Sequence, residues 1–458
     1  MLERTALQGL IERGEIDTVI LAFPDQQGRL LGKRFTARHF VAHVAEEGMH
    51  ACTYLLTVDM EMEPLPGYRL ANWEDGYGDF HVAPDWSTAR RLPWLEATAL
   101  LLGDLYHQDG RPVEEAPRRV LRRQVERAAA LGFRPRMGSE VECYLYRESF
   151  ASAGARGFRN LQAFGTYVED YHLLQGTREE PLLRAIRNQM EGAGVAVEGT
   201  KGEWGRGQVE LNLAYTDALE MADRHTILKQ GAKEIAEQQG AAITFMAKPD
   251  AGAAGSSCHV HASLWDETGQ HNRFRRGGDG GGDTPAAGDP DLFQHYLAGQ
   301  LALARELSLC YAPTVNSYKR YQSMSWAPTA VTWGEDNRTC GFRIVGRGRG
   351  LRVENRLPGA DANPYLAFAA MIAAGLYGIE QRLPLPPAYD GNAYLARDVP
   401  RVPGSLQEAI TAWEGSAAAR QAFGAEVVEH YRLTAQHEVA AFERAVTDWE
   451  LARYFERI

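Results

Sequence analysis

The chain has 458 residues, of which 45% are hydrophobic and 24% charged, with a formal net charge of −11. This length buries a large core and predicts two or three domains, or one large domain with an appendage, and the composition excludes a fibrous or largely disordered protein. The acidic balance excludes a general nucleic-acid binder, which needs a basic stripe to displace phosphate counterions; it suits cationic or metal-bound ligands, and solubility alone explains it equally well.

The five cysteines, Cys52, Cys143, Cys258, Cys310 and Cys340, are scattered singly, with neither a CxxC pair for zinc nor a dense disulfide framework. A reduced cytoplasm is the expected location. The N-terminal MLERTALQGLIERGEI lacks a charged-then-apolar export signal, and no uncharged apolar run approaches the roughly 20 residues of a membrane helix.

Short strands with turns open the chain: IDTVILAF at 16 to 23, a turn at Asp25 to Gly28, then RLLGKRFT. From Glu114 the pattern changes, because Val120, Leu121, Val125, Ala128 and Leu131 fall near one helical face that ends at Gly132. A boundary near 110 follows, with a small β-rich domain over 1–110 and a catalytic domain over 111–458. Helical patterns are predicted at 181–194, 217–240, 290–312, 363–381 and 405–446, alternating with short strands in a mixed arrangement of helices and sheet. The glycine-rich stretch 277–290 reads as a surface loop without a dinucleotide fingerprint. GRGRG at 346–350 is open to two readings, a backbone cradle for phosphate or a turn before the next strand.

Four segments carry charge at alternate positions, and residues two apart share one face of a strand. SEVECYLY projects Glu140 and Glu142 together; GQVELNLAY projects Gln208, Glu210 and Asn212; CHVHASLW projects His259, His261 and Ser263; RVENRL projects Arg352, Glu354 and Arg356. Singly, each fits a half-exposed antiparallel strand facing water. Together, carboxylates, histidines and arginines make a lining for metal ions and phosphates, with carboxylate oxygens suited to Mg²⁺ or Mn²⁺ and guanidinium forks matched to phosphate or carboxylate.

These segments resemble the glutamine synthetase family, in order and over most of the chain. GSEVECYLY is similar to its paired-glutamate strand, GEWGRGQVEL to its glutamate and Gln-x-Glu segment, and KPDAGAAGSSCHVHASL to its Lys-Pro motif and His-x-His strand; NSYKR, DNRTCGFRI and RVENRLPGADANPYL resemble its arginine segments. The resemblance implies an α+β fold, with a small N-terminal β-grasp domain and a large catalytic domain built on a curved antiparallel sheet with helices. It implies two divalent ions, Mg²⁺ or Mn²⁺, one held by Glu142, Glu203 and Glu210 and the other by Glu140, His259 and Glu354. It assigns Arg320 and Arg356 to the carboxylates of glutamate, Arg338 and Arg343 to phosphates, and His261, Ser263 and Arg352 to the ATP site. A cytoplasmic dodecamer of two hexameric rings, with sites between neighbouring subunits, is implied as well. Cys143 and Cys258 read as strand fillers, Asn363 and Pro364 as packing residues. Tyr394, placed where some bacterial members carry a nucleotidylated tyrosine, reads as a surface tyrosine.

The chain departs from the family pattern where ammonia is handled. GMHACTYLLTVDM lacks the Asp-Gly-Ser-Ser string, and in RYQSMSWAP the place of the family's flap glutamate holds Trp326. An indole removes an anion and supplies a flat wall that holds a cation or an alkyl chain, so the expected reaction joins glutamate to an organic primary amine such as a polyamine or ethanolamine. The alternatives are an ordinary glutamine synthetase, with Trp326 packed at a subunit contact, and a non-catalytic structural or regulatory ring. GSSC before His259 also departs from the family's usual string and leaves the acceptor open.

Overall fold

The computed structural model describes residues 1–274 and 290–458; the glycine-rich stretch expected as a surface loop lies, up to residue 289, outside the described residues. Two sheets organise the chain. The first contains β1 (Thr18–Pro24), β2 (Leu30–Thr36), β3 (Met49–Cys52), β4 (Asp79–Arg91) and β5 (Thr98–Tyr106), in the order β2-β1-β5-β4-β3. β1 and β2 form the expected hairpin around Asp25, whose carboxylate accepts the backbone N–H of Gln27 and Arg29. A helix, Arg4–Glu12, precedes them and lays Leu7 into the sheet's core. The strand reading of this region missed that helix.

The second sheet contains β6 (Arg134–Tyr146), β7 (Val197–Gly202), β8 (Gln208–Asp217), β9 (Ala242–Thr244), β10 (Cys258–Trp265), β11 (Trp333–Glu335), β12 (Phe342–Val345) and β13 (Arg352–Asn355). Its order is β11-β12-β13-β10-β6-β8-β7, with β9 on β6. The expected antiparallel sheet is in fact mixed, because β11 and β12 run parallel, as do β1 and β5 in the first sheet. Helices Ala218–Gln238 and Pro364–Glu380 contribute to the core behind the second sheet. The latter is apolar all round, which suits a helix enclosed on every side. Asn363 caps it by accepting the N–H of Tyr365 and also donates to the carbonyls of Asp25 and Gln26, tying it to the first hairpin. Helix Pro290–Leu303 approaches so closely that a Cβ at Gly299 would lie 2.0 Å from the Ala374 carbonyl oxygen, which fixes glycine there.

The helical patterns fall where expected with three differences. The first runs Leu173–Gly192, enclosing Pro181 instead of starting there. The pattern at 290–312 breaks after Leu303 and resumes at Ser308–Tyr311. The pattern at 405–446 is three helices, Leu406–Gly415, Ala417–Phe423 and Ala425–Arg444, interrupted by the capping Ser416 and by Gly424 at φ +89°. No described helix is long and apolar enough to cross a membrane.

Arg118, on helix Pro117–Ala130, fastens the first sheet to the second layer. Its guanidinium donates to Asp223 at 3.0 and 2.9 Å, Asp104 at 2.6 Å and Asp85 at 2.8 Å, and its side chain is 3% exposed. Removing one side of a buried charge cluster leaves the other unpaired, which costs about 3–5 kcal/mol. Arg118→Leu should therefore lower the urea midpoint by that equivalent, whereas substituting the exposed Arg111 should leave it almost unchanged.

Candidate active site

The four charged segments are adjacent strands, in the order β13-β10-β6-β8. Their register aligns the charges: His259 lies opposite Glu140, Glu140 opposite Asn212, Glu142 opposite Glu210, and His261 opposite Glu354. Opposed residues point to the same side of a sheet, so carboxylates and imidazoles gather on one face. On the other face Val141, Cys143, Val209, Leu211, Val260, Ala262 and Val353 enter the main core. Cys143 and Cys258 are buried, and burial pushes the Cys258 thiol up to about 11, so it stays protonated.

Two cavities open on the charged face and share Glu140 and Asn212. The larger, about 510 Å³, is lined by Glu142, Glu203, Glu210, His259, Trp326, Arg338, Arg343 and Arg356 among others. The second, about 440 Å³, is lined by His261, Ser263, Arg352, Tyr215 and Trp265 among others. In it Tyr215 stacks on Trp265 at 6.3 Å between ring centroids, and the Arg136 guanidinium lies 4.5 Å from the Trp265 ring centroid. GRGRG is a turn before β13, and Arg349 and Gly350 line this second cavity.

On the charged face, ligand atoms of Glu140, His259 and the fully buried Glu354 lie within 4.8 Å of one another, as do those of Glu142, Glu210 and His259. Glu203 lines the larger cavity, ion-paired with Lys201. Burial and the neighbouring Glu203 raise Glu142; burial and the charge of Glu140 raise Glu210. Burial, then the charge of Arg356, lowers His259 to about 4 and keeps its imidazole neutral, the form that ligates a metal. Its Nε2 is buried without a hydrogen-bond partner. Mutually repelling carboxylates beside a neutral imidazole with an unpaired nitrogen fit divalent cations.

Glu354 works against burial. Burial alone would raise it, but Arg356 first, then His259, His261 and Arg343, hold it down at about 2. Arg356 donates to it at 2.5 Å and Arg343 at 2.8 Å. His261 lies 3.0 Å from Glu140 through Nε2 and accepts from Arg352 through Nδ1 at 3.2 Å. Against burial, His259 and His261 hold Glu140 well below the usual carboxylate range. Ser263 accepts from the Trp265 indole N–H at 2.8 Å.

Arg320 is buried beside the cavity and not in its lining. It is 1% exposed and donates to the carbonyls of Leu357 and Arg356 at 2.8 Å each and to Ser257 Oγ at 3.2 Å. Those bonds brace the wall that carries Arg356 and leave the Arg320 Nε buried without a partner. Tyr394 corrects its reading as a surface tyrosine: it is 8% exposed, and its hydroxyl donates to the Ala327 carbonyl at 2.9 Å.

Trp326 stands at the cavity, 47% exposed and at φ +65°, edge-on to Trp204 with centroids 5.9 Å apart. Trp204, Lys201, Asp170 and Tyr171 are lining residues that the sequence reading did not select. For Lys201 a signal existed, since it sits two positions before Glu203 in KGE. The other three stand on loops, where no periodicity marks the direction of a side chain.

The glutamine synthetase catalytic-domain model matches residues 114–454. The chain belongs to the glutamine synthetase family. Among curated members, the gamma-glutamylethanolamide synthetase GlnA4 of Streptomyces coelicolor is 52% identical over 452 residues, covering 99% of this chain and 95% of that protein. A glutamate–isopropylamine ligase of a Pseudomonas species is 38% identical over 465 residues, covering 99% and 98%. A solved structure described as a GmaS/ADP complex superposes with a TM-score of 0.83 at 28% identity, covering 98% of this chain and 99% of that one. The family's fold, an N-terminal β domain followed by a catalytic domain with a mixed sheet and helices, is the fold of this chain.

Proposed function

We propose that this enzyme uses ATP to join the γ-carboxylate of glutamate to a small organic primary amine. The observation that carries the choice of acceptor is the indole of Trp326, paired with Trp204 in the wall of the cavity that gathers the acids. The relatives named for ethanolamine and isopropylamine support the same reading.

A carboxylate is a poor acyl donor because its leaving group would be oxide. Transfer of the γ-phosphoryl group of ATP converts it to an acyl phosphate; the alkylammonium gives up one proton to solvent to become a neutral nucleophile, its nitrogen bonds to the acyl carbon, the C–O bond to phosphate breaks, and the nitrogen's second proton leaves to the departing phosphate or water. Glu142, Glu203 and Glu210 would hold one divalent ion, and Glu140, His259 and Glu354 the other, Mg²⁺ or Mn²⁺. Such ions offset the charge on phosphoryl and carboxylate oxygens. Arg338, for which no ion pair forms among the described residues, and Arg343 supply cationic donors for the phosphates, while Arg356 is placed for a glutamate carboxylate. Arg320 fixes the backbone on which Arg356 stands. The second cavity takes the nucleotide, with Tyr215 and Trp265 as a flat wall for a base and His261, Ser263 and Arg352 beside it.

The same reading divides the chain at 110 into a β-grasp and a catalytic domain, supported by a separate core drawn from Leu7 to Ala116. On the same reading the enzyme is a cytoplasmic dodecamer of two hexameric rings, and the exposed Trp449, Phe455 and Ile458 near the C-terminus offer apolar surface for a subunit contact.

Phosphate release measured with glutamate, ATP and Mg²⁺ against a panel of ammonia, ethanolamine, isopropylamine and putrescine tests the acceptor. At least one organic amine should exceed ammonia in kcat/KM by about tenfold or more. Ammonia as the best substrate would restore ordinary glutamine synthesis.

A further inference from the structure

The loop after Phe164 brings one acid and one ring to the Trp204–Trp326 end of the cavity. Its conformation is built rather than incidental. Glu169 turns inward, 2% exposed, against Gly202, where a Cβ would lie 2.6 Å from the Glu169 Cβ. The next two residues turn outward with left-handed backbones, Asp170 at φ +25° and Tyr171 at φ +66°. Left-handed geometry is disfavoured for side-chain-bearing residues and persists where surrounding bonds impose it. Here the Asp170 N–H donates to the Glu203 carbonyl at 3.1 Å, the Tyr171 N–H to the Gly202 carbonyl at 3.4 Å, and the His172 N–H to the Glu169 carbonyl at 2.7 Å. Both side chains are thereby presented to the cavity beside the two indoles.

This corner already attracts an ammonium group from the protein itself. Lys201 Nζ sits 4.5 Å from the Tyr171 ring centroid and pairs with Glu203. Glu203 is thus paired and is also a proposed metal ligand, whereas among the described residues the Asp170 carboxylate makes no hydrogen bond or ion pair. An amine carries positive charge at neutral pH and needs an anion that the phosphoryl-binding arginines do not offer. Trp204, Trp326 and Tyr171 supply aromatic surface for its alkyl portion and π faces for its charge.

We propose that Asp170 is the specificity-determining anchor for the acceptor's ammonium group, with Tyr171, Trp204 and Trp326 enclosing its alkyl part. The inference rests on the organic-amine reading above and deepens it. It assigns recognition of a small, singly charged alkylammonium to this chain's own loop.

The test compares the full-length wild type, Asp170→Asn and Asp170→Glu with saturating ATP, glutamate and Mg²⁺. Two nucleophiles are used: the best organic amine of the panel, which is charged, and hydroxylamine, which is neutral at the assay pH. Asp170→Asn should raise the amine KM by about tenfold or more, with γ-glutamyl hydroxamate formation changed less than about twofold. Asp170→Glu should recover part of the amine KM. An unchanged amine KM in Asp170→Asn, or an equal loss with both nucleophiles, would overturn the anchor. A wild type that favours ammonia over every organic amine removes the underlying reading instead, so the two failures are told apart by the first measurement.

Discussion

Glu354→Gln is expected to reduce amine-dependent phosphate release by at least about a hundredfold, the scale on which a positioned charge acts in a transition state. The side chain is fully buried and holds Arg356 and Arg343 on its two oxygens while lying 3.7 Å from His259. An amide of the same shape removes the negative charge and leaves two guanidinium groups facing a neutral partner. Breaking a buried pair in this way costs about 3–5 kcal/mol, so the variant should also unfold at lower denaturant. The decisive comparison is Asp336→Asn. Asp336 also pairs with Arg343, but its side chain is 80% exposed, so its loss should alter stability little. If Glu354→Gln kept wild-type turnover, the metal and arginine assignment would be wrong.

The second large effect concerns Trp326→Glu. It returns a carboxylate to the position where the family's ammonia-using members carry one, and it withdraws the indole from the Trp204 pair. The ratio of kcat/KM for ammonia to that for the best organic amine should rise by about a hundredfold, through a gain for ammonia and a loss for the alkyl group. Neither residue is favoured at φ +65°, so the exchange adds little backbone cost, and at 47% exposure little burial is lost. Competition between the two nucleophiles in one vessel, with products separated by mass, reads the ratio directly. An unchanged ratio would make Trp326 a bystander.

The acidic face was legible because a strand's twofold alternation leaves no freedom: once β6, β8, β10 and β13 pair, Glu140, Glu142, Glu210, His259 and Glu354 must share a side. The core face followed from the same rule, with Val141, Val209, Val260 and Val353 behind. What alternation does not encode is the target of a long side chain. Arg320 and Arg356 both stand in arginine segments, but one guanidinium is drawn to backbone carbonyls and the other to a carboxylate. Similarly, nothing local marks Asp170 and Tyr171, because their outward turn is imposed by bonds to Gly202 and Glu203, more than thirty positions away. The helical stretch from 405 to 446 looked continuous because its apolar spacing survives the breaks, while Ser416 and Gly424 reset its direction.

The phenol of Tyr394 has a consequence for control of the enzyme. Its hydroxyl is spent on the Ala327 carbonyl, one residue beyond the indole at the acceptor end. Any regulator that esterifies this oxygen must first pull the lip of the pocket open, and the added bulk would hold it so. Covalent silencing at that position would therefore act by spoiling nucleophile selection, while nucleotide capture in the second cavity of the same face went on undisturbed.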